Sequence, residues 1–181
     1  MFDLEELDKA RVRWQLGHHL FFAYVQGLIM VCSDLQAALA KADYATAQAE
    51  LDRATSLMWG VAVTFKLTGA FSQAAYDGYV RPNMFEASEG FSGLWSHDHD
   101  YLVKQILRDL KPIFSAPPAQ LAESMQKFRQ AFAIMYDAHK YVCERFEGDA
   151  PSLLMGAEAQ KSAGEMIETF KRNRLRVLGV E

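Results

Sequence analysis

The sequence contains few of the residues that would indicate a disulfide framework or a structural zinc site. Its 181 residues include two cysteines, Cys32 and Cys143, and five histidines. Two cysteines do not suggest a secreted disulfide scaffold, and no zinc-finger or zinc-ribbon spacing is present. The fold must then rest on an apolar core, and a chain of this length with 50% hydrophobic residues can form one.

The sequence also lacks a basic excess and a long uncharged apolar run. A net charge of −4 and a pI near 5.7 argue against a nucleic-acid partner, which would require a basic face. The apolar stretch 16–31 contains Gly17, His18, His19 and Gln26 and is too short and too polar to cross a bilayer. Acidic residues occur at the start, where a signal peptide would be positively charged. We therefore expect a cytoplasmic protein with no membrane partner.

The spacing of the apolar residues predicts an all-α protein, a helical bundle in which residues 1–181 form a single domain. No strand-like alternation and no internal repeat are found. Pro82, Gly90 and Gly93 lie in a segment without a clear period, so one long loop is predicted over 80–95. About five helices are predicted, over 3–40, 43–79, 96–111, 117–148 and 151–178.

Two residues of the fourth predicted helix are unexpected on its apolar face. His139 and Cys143 are four residues apart, so they share one face about one turn apart. Three interpretations are open: a core histidine beside a small cysteine, a zinc site with further ligands, or a haem site. In a haem site the imidazole would ligate iron and the thiol could reach a vinyl group. The other members of this face are Leu121, Met125, Phe128, Phe132, Met135, Val142 and Phe146.

Two segments upstream resemble a signature of the haem-dependent aromatic oxygenases. They are 80–84, Val-Arg-Pro-Asn-Met, and 90–99, which begins Gly-Phe and ends at His99. This superfamily contains relatives of tryptophan 2,3-dioxygenase, including bacterial tyrosine hydroxylases. The spacing of His99 and His139, with 39 residues between them and Cys143 four residues later, resembles the motif of the 3-methyltyrosine-hydroxylating branch.

The resemblance implies a tryptophan 2,3-dioxygenase-like fold that binds haem. By position, His139 would be the proximal iron ligand, His99 a displaceable distal ligand, and Cys143 the anchor of a covalent haem. The implied function is a haem-dependent oxygenase or hydroxylase acting on a tyrosine- or tryptophan-like small molecule, with His99 also able to act as general base. The alternative is a non-catalytic bis-histidine haem sensor or carrier.

Three further residues are candidates for binding an aromatic substrate. Phe91 and Trp95 precede His99 and could line an aromatic pocket, although ordinary burial explains them equally well. Arg81 could hold an amino-acid carboxylate, although a surface salt bridge is the simpler explanation.

The two remaining histidines, His18 and His19, are adjacent, so at most one of them enters a core. Their helix is predicted to bury a face that lies nearer to His19, leaving His18 nearer the polar side. The residues assigned to that face are Trp14, Leu20, Phe21, Tyr24, Leu28, Val31 and Leu35.

A further alternative is an HD-type metal-dependent phosphohydrolase, suggested by His-Asp-His-Asp at 97–100. His18 or His19 and Asp137 would supply the outer ligands. Four consecutive residues fan around a helical turn and cannot all face one metal ion, which weakens this interpretation. A ferritin-like di-iron site is excluded because no histidine has glutamate three residues before it.

The first two predicted helices are the richest in apolar residues, at 14–35 and 57–71. A bundle this small cannot cover all of that surface. We therefore predict a homodimer or higher oligomer built on these helices.

Overall fold

Seven helices make up most of the part of the chain that the structure describes. The computed structural model describes residues 4–87, 96–148 and 162–180. The two longest helices at the start are α1, Leu4–Ala40, and α2, Tyr44–Thr68. The described residues contain no strand, so the all-α prediction is confirmed.

The turn between α1 and α2 folds the two helices back on each other. Asp43, at the predicted start of the second helix, is the N-cap of α2, and its carboxylate accepts a hydrogen bond from the Thr46 amide at 3.1 Å. Gly17, near the start of α1, faces Thr68 at the end of α2. The helices are therefore antiparallel, and small residues let them approach closely.

Two interrupted helices and a short one follow α2. Each interrupted helix contains a π-helical turn, a wider turn that is often found at functional sites. Helix α3 (73–87) comprises Gln73–Ala75, the π turn Tyr76–Val80 and Arg81–Ala87. Helix α4 (97–109) comprises His97–Tyr101, the π turn Leu102–Ile106 and Leu107–Asp109, and α5 is Lys111–Ser115.

The last two helices complete the packing. After a 3₁₀ turn at Ala119–Leu121, α6 spans Ala122–Glu147 and α7 spans Ala163–Val177. Helix α2 packs against both α1 and α6, and α6 packs against α7. The main core lies among these helices and includes Val25, Leu28, Cys32, Leu35, Leu51, Met58, Phe128, Phe132, Tyr136 and Ile167.

The buried face of α1 differs from the predicted one. Val25 and Cys32 are buried, whereas Leu20, Tyr24 and Val31 are only partly covered. The face that packs runs at alternating steps of four and three, through Trp14, His18, Phe21, Val25, Leu28, Cys32 and Leu35. The prediction was right for Trp14, Phe21, Leu28 and Leu35 and wrong for Leu20, Tyr24 and Val31, because apolar residues occur on both sides of α1 and two faces fit a helical period.

Several predicted boundaries were also wrong. Helix α2 ends at Thr68 rather than near residue 79, because Gly69 caps it. The predicted loop 80–95 is helical as far as residue 87, and its remainder, 88–95, lies outside the described residues. Pro82 is tolerated because it lies in the first turn after the π turn, where one backbone hydrogen bond is already displaced.

The helix ends of the second half follow their local signals. Ser96 caps α4 and Gly148, with a φ of 54°, ends α6, both as predicted. Helix α7 begins at Ala163 because Ser162 and Glu165 form a capping box, whereas the predicted helix start at 151 falls outside the described residues. Residues 149–161 lie outside the described part.

Helix α1 is long and apolar enough, by length and composition, to cross a membrane over Glu5–Ala40; no other helix in the described part of the chain passes this test. A helix that buries one face in a protein core passes the same test. Five α1 residues, Val25, Leu28, Cys32, Leu35 and Ala38, are buried in the main core.

Candidate functional site

A cavity of about 250 Å³ lies among α1, α2, α3, α4, α6 and α7. Most of its lining is apolar or aromatic, including Phe21, Phe65, Phe132 and Met135. Its ionisable lining residues are His18, Tyr76, His99, Tyr136, His139, Cys143 and Glu147. An apolar cavity with a few convergent polar groups is the usual form of a small-molecule or cofactor site.

His139 lies in the middle of α6 and is partly accessible because it borders this cavity. The Phe65 ring stacks flat on the imidazole, with ring centroids 4.4 Å apart and planes 4° apart. Burial, reinforced by nearby His99 and His18, lowers the His139 pKa to about 4. No described residue hydrogen-bonds its ring nitrogens. His139 is therefore a neutral imidazole whose in-plane lone pair can be donated to a metal ion or accept a hydrogen bond.

His99 lines the same cavity from the first turn of α4. Ser96 fixes that turn, since its hydroxyl accepts a hydrogen bond from the His99 amide at 3.1 Å. A series of ring contacts connects His99 to His139: His99 to Phe21 at 6.1 Å, Phe21 to Phe65 at 5.9 Å, and Phe65 to His139. The structure thus brings together two histidines that the sequence separates by 39 residues.

His18 is a third histidine of the cavity, so the prediction that it lies nearer the polar side of α1 was wrong. Its Nδ1 lies 2.7 Å from the Trp14 carbonyl oxygen, which can only accept, so Nδ1 carries the proton and Nε2 the lone pair. Burial lowers the His18 pKa. His19 is exposed instead. The spacing Trp14, His18, Phe21, Val25 was the signal that could have identified His18.

Cys143 lies one turn after His139 and also lines the cavity. Burial first, and then Glu147 and Glu144, raise the pKa of its thiol to about 12. Cys143 is therefore a neutral thiol at physiological pH. Cys32 is absent from the cavity lining and packs in the main core, where burial raises its pKa to about 12 as well.

Arg81 does not line the cavity itself but forms an ion pair with an acidic residue that does. Its Nη2 lies 3.4 Å from Oε2 of Glu147, the last residue of α6, and Glu147 lines the cavity with 7% of its side chain exposed. The other carboxylate oxygen accepts a hydrogen bond from the Tyr76 hydroxyl. No sequence pattern identified Glu147 and Tyr76 as site residues. They lie on α6 and α3, which are far apart in the sequence and meet only in the folded chain. Phe91 and Trp95 lie outside the described residues.

The donor set of the cavity fits haem. His139 and His99 offer imidazole nitrogens, Cys143 offers a thiol one turn from His139, and the surrounding lining is apolar. Stacking of Phe65 uses the face of the His139 ring and leaves its in-plane nitrogens available. No group of three or more histidine, cysteine, aspartate or glutamate residues that could hold a bare metal ion occurs in the described ranges.

Comparison with known proteins identifies the family. The model of the SfmD 3-methyl-L-tyrosine peroxygenase family matches residues 4–124. The chain belongs to this family. A curated relative, the 3-methyl-L-tyrosine peroxygenase of Streptomyces lavendulae, is 33% identical over 169 residues, which is 92% of this chain and 46% of the relative. The chain thus spans about half the length of that relative. No solved structure matches the chain.

Family membership supports part of the resemblance seen in the sequence, namely an aromatic-modifying oxygenase family. The family model covers His18, Arg81 and His99. The alignment with the relative covers 92% of this chain and therefore includes at least part of α6. The wider tryptophan 2,3-dioxygenase-like superfamily and fold stay predictions. The HD-type alternative finds no support, since His97 and Asp98 are exposed and Asp137 pairs with Lys171.

Proposed function

We propose that this chain forms the haem-binding part of an oxygenase that acts on a tyrosine-like aromatic amino acid. The observation that carries the proposal is the convergence of His139, His99 and Cys143 on one apolar cavity, in a member of a peroxygenase family. Haem, when bound, would supply the redox chemistry that transfers oxygen to the aromatic ring. The chain's own residues would bind, orient and deprotonate the substrate.

His139 is the proposed proximal ligand, because it is neutral and held on a long helix. Its low pKa keeps the imidazole unprotonated throughout the physiological range. The stacked Phe65 ring fixes the rotation of the imidazole. Cys143, on the same face of α6, is the proposed covalent anchor.

His99 is the proposed distal ligand and proton acceptor. It lies in the first turn of α4, on an element separate from α6, so it can move without disturbing His139. His18 presents Nε2 as an acceptor, since Nδ1 is held by Trp14. Either imidazole can take a phenolic proton when the substrate ring lies between them.

Two features of the cavity favour an amino acid with an aromatic side chain. The phenylalanine and methionine side chains of the lining match an aromatic ring and exclude water. Arg81 lies beside the lining residue Glu147 without lining the cavity itself, and its other donors have no described partner. It is the proposed partner of a substrate carboxylate that extends past Glu147.

A visible spectrum of the purified chain titrated with haem tests the proposal. Wild type should give a Soret band typical of a six-coordinate low-spin ferric haem. His139→Ala should lose or badly weaken haem binding, and His99→Ala should convert the spectrum to high-spin. His19→Ala, which changes an exposed neighbour of His18, is the control and should match wild type.

Addition of L-tyrosine should shift the wild-type spectrum toward high-spin, because the substrate competes for the space next to His99. Absence of a Soret band in wild type would reject haem binding. An unchanged spectrum in His99→Ala would reject the distal assignment. A high-spin mutant without any shift by aromatic compounds would favour the haem carrier over the enzyme.

A further inference from the structure

Glu147 is a buried carboxylate in the cavity that the proposed haem ligation leaves without a role. Its side chain is 7% exposed, and it follows Cys143 by one turn of α6. Oε1 accepts the Tyr76 hydroxyl, whereas Oε2 accepts no hydrogen bond from the residues that the structure describes. Tyr76 is itself 6% exposed and stacks on Phe146 with centroids 4.6 Å apart. The carboxylate is therefore held in place, with one oxygen that no described residue satisfies by a hydrogen bond.

An unsatisfied carboxylate oxygen in an apolar lining is costly unless a ligand donates to it. The Arg81 guanidinium lies 3.4 Å away without hydrogen-bond geometry, and 38% of its side chain is exposed. The Arg81 guanidinium therefore offsets the negative charge of Glu147 only in part. The complementary ligand is a nitrogen that is both cationic and a hydrogen-bond donor.

The position of Glu147 suits one end of an elongated ligand. Glu147 lies eight positions after His139 in α6, which corresponds to about 12 Å along the helix axis. Phe71, Tyr76 and Phe146 surround this end of the cavity, and their rings favour a ligand with apolar surface. A molecule with an aromatic ring toward the histidines and an ammonium group at its other end matches this arrangement.

We propose that Glu147 Oε2 binds the α-ammonium group of the substrate and so selects free aromatic amines and amino acids over phenols without an amine. Tyr76 acts as a positioning residue, because its hydroxyl holds Oε1, whereas Oε2 accepts no hydrogen bond from the described residues. This inference rests on the proposed function, because it assigns the substrate end that the histidines do not contact.

The ammonium assignment is tested by measuring, with calorimetry, the binding of three phenols. They are L-tyrosine, tyramine and 3-(4-hydroxyphenyl)propionate, which lacks the amine. Glu147→Gln should weaken L-tyrosine and tyramine by about 10- to 100-fold, because a charged hydrogen bond is lost. Binding of the amine-free propionate should be unchanged. The matched control is Glu144→Gln, on the same helix but exposed, which removes the same charge and should alter none of the three.

The outcomes separate this inference from the proposed function. Equal weakening of all three ligands, or no weakening of any, would overturn the ammonium assignment while leaving phenol binding in place. Failure of wild type to bind any of the three would overturn both.

A comparison that uses wild type alone covers the case in which Glu147→Gln does not fold. Tyramine and 4-ethylphenol differ by the amine, so tyramine should bind at least about tenfold more tightly. Equal or weaker binding of tyramine would reject the inference.

Discussion

At the residue scale, burial determines the protonation of the side chains that line the cavity. His139 and His18 have lowered pKa values and Cys143 a raised one, and in each case burial is the largest cause. The lowered histidine pKa values and the raised cysteine pKa both favour the uncharged form of the side chain. The cavity thus holds neutral imidazoles and a neutral thiol at physiological pH, which suits ligation of iron and contact with an apolar ring.

This burial predicts a loss of stability in acid for the haem-free chain. Between about pH 6.5 and pH 4 a histidine is protonated in the unfolded chain but His139 is not protonated in the fold. The unfolded state binds more protons there, so the unfolding free energy falls as pH falls, by up to about 3 kcal/mol for a shift of this size. Urea titrations at several pH values measure this.

The dependence of the unfolding free energy on pH should be shallower in His139→Phe and unchanged in the exposed control His19→Gln. His18 contributes in the same direction, because its pKa is also lowered. An identical pH slope in wild type and His139→Phe would contradict the burial of a neutral His139.

Cys143 allows a prediction about the haem linkage. Cys143→Ala should leave haem bound but extractable with acid and acetone, because His139 carries the iron in the proposed site. Cys32→Ala is the control, since Cys32 lies in the core and does not line the cavity. The haem of the Cys32→Ala variant should remain covalently attached. Complete loss of haem in Cys143→Ala, or extractable haem in wild type, would show that the thioether assignment is wrong.

At the element scale, the cavity depends on how closely α1 and α2 approach. Gly17 and Thr68 line the cavity at the point where the two helices meet, and a Cβ atom on Gly17 would overlap the Thr68 side chain, including its own Cβ. Gly27 lies further along α1, where a Cβ atom would meet Leu57 Cδ1 at 3.4 Å, an ordinary contact. The same helix therefore offers a crowded glycine and an uncrowded one.

Gly17→Ala should lower the unfolding free energy by about 1–3 kcal/mol, because the helices must separate to relieve the overlap. Gly27→Ala is the matched control and should be neutral or stabilising by up to about 1 kcal/mol, because alanine is the better helix former. Thermal and urea unfolding of both variants measures the difference. Equal effects at the two positions would show that the approach at Gly17 does not limit the packing.

At the scale of the whole molecule, α1 and α2 both carry large apolar side chains that are exposed. Exposed side chains recur every four residues along α2, and two more lie four residues apart in the first half of α1. These residues, here called the α1–α2 stripe, are Val12, Leu16, Trp59, Val63 and Leu67, which are 46–64% exposed. A stripe of this kind supports the predicted oligomer, which stays a prediction.

Light scattering should give a mass above the 20.4 kDa of one chain. Val63→Glu should shift that mass to the monomer, because it places a charge in the middle of the stripe. Tyr141→Glu, at an exposed apolar residue on α6, is the control and should leave the mass unchanged. A wild-type mass of 20.4 kDa would reject the oligomer.

The sequence by itself determined the helical class, several helix ends and the apolar face of α6. Asp43, Ser96 and Gly148 act through hydrogen bonds or backbone angles within a few residues, so their effects could be predicted locally. The unexpected positions of His139 and Cys143 on an apolar face were visible for the same reason, since helical spacing alone puts them together.

Only the tertiary structure decided which face of α1 is buried and which residues share the cavity. Both faces of α1 are apolar enough to pack, so the choice between His18 and His19 depended on where α2 and α6 lie. Glu147 and Tyr76 are 71 residues apart, and no local pattern connects them. Contacts between distant segments form when several helices pack at once, and packing of this kind leaves no periodic trace in a single sequence.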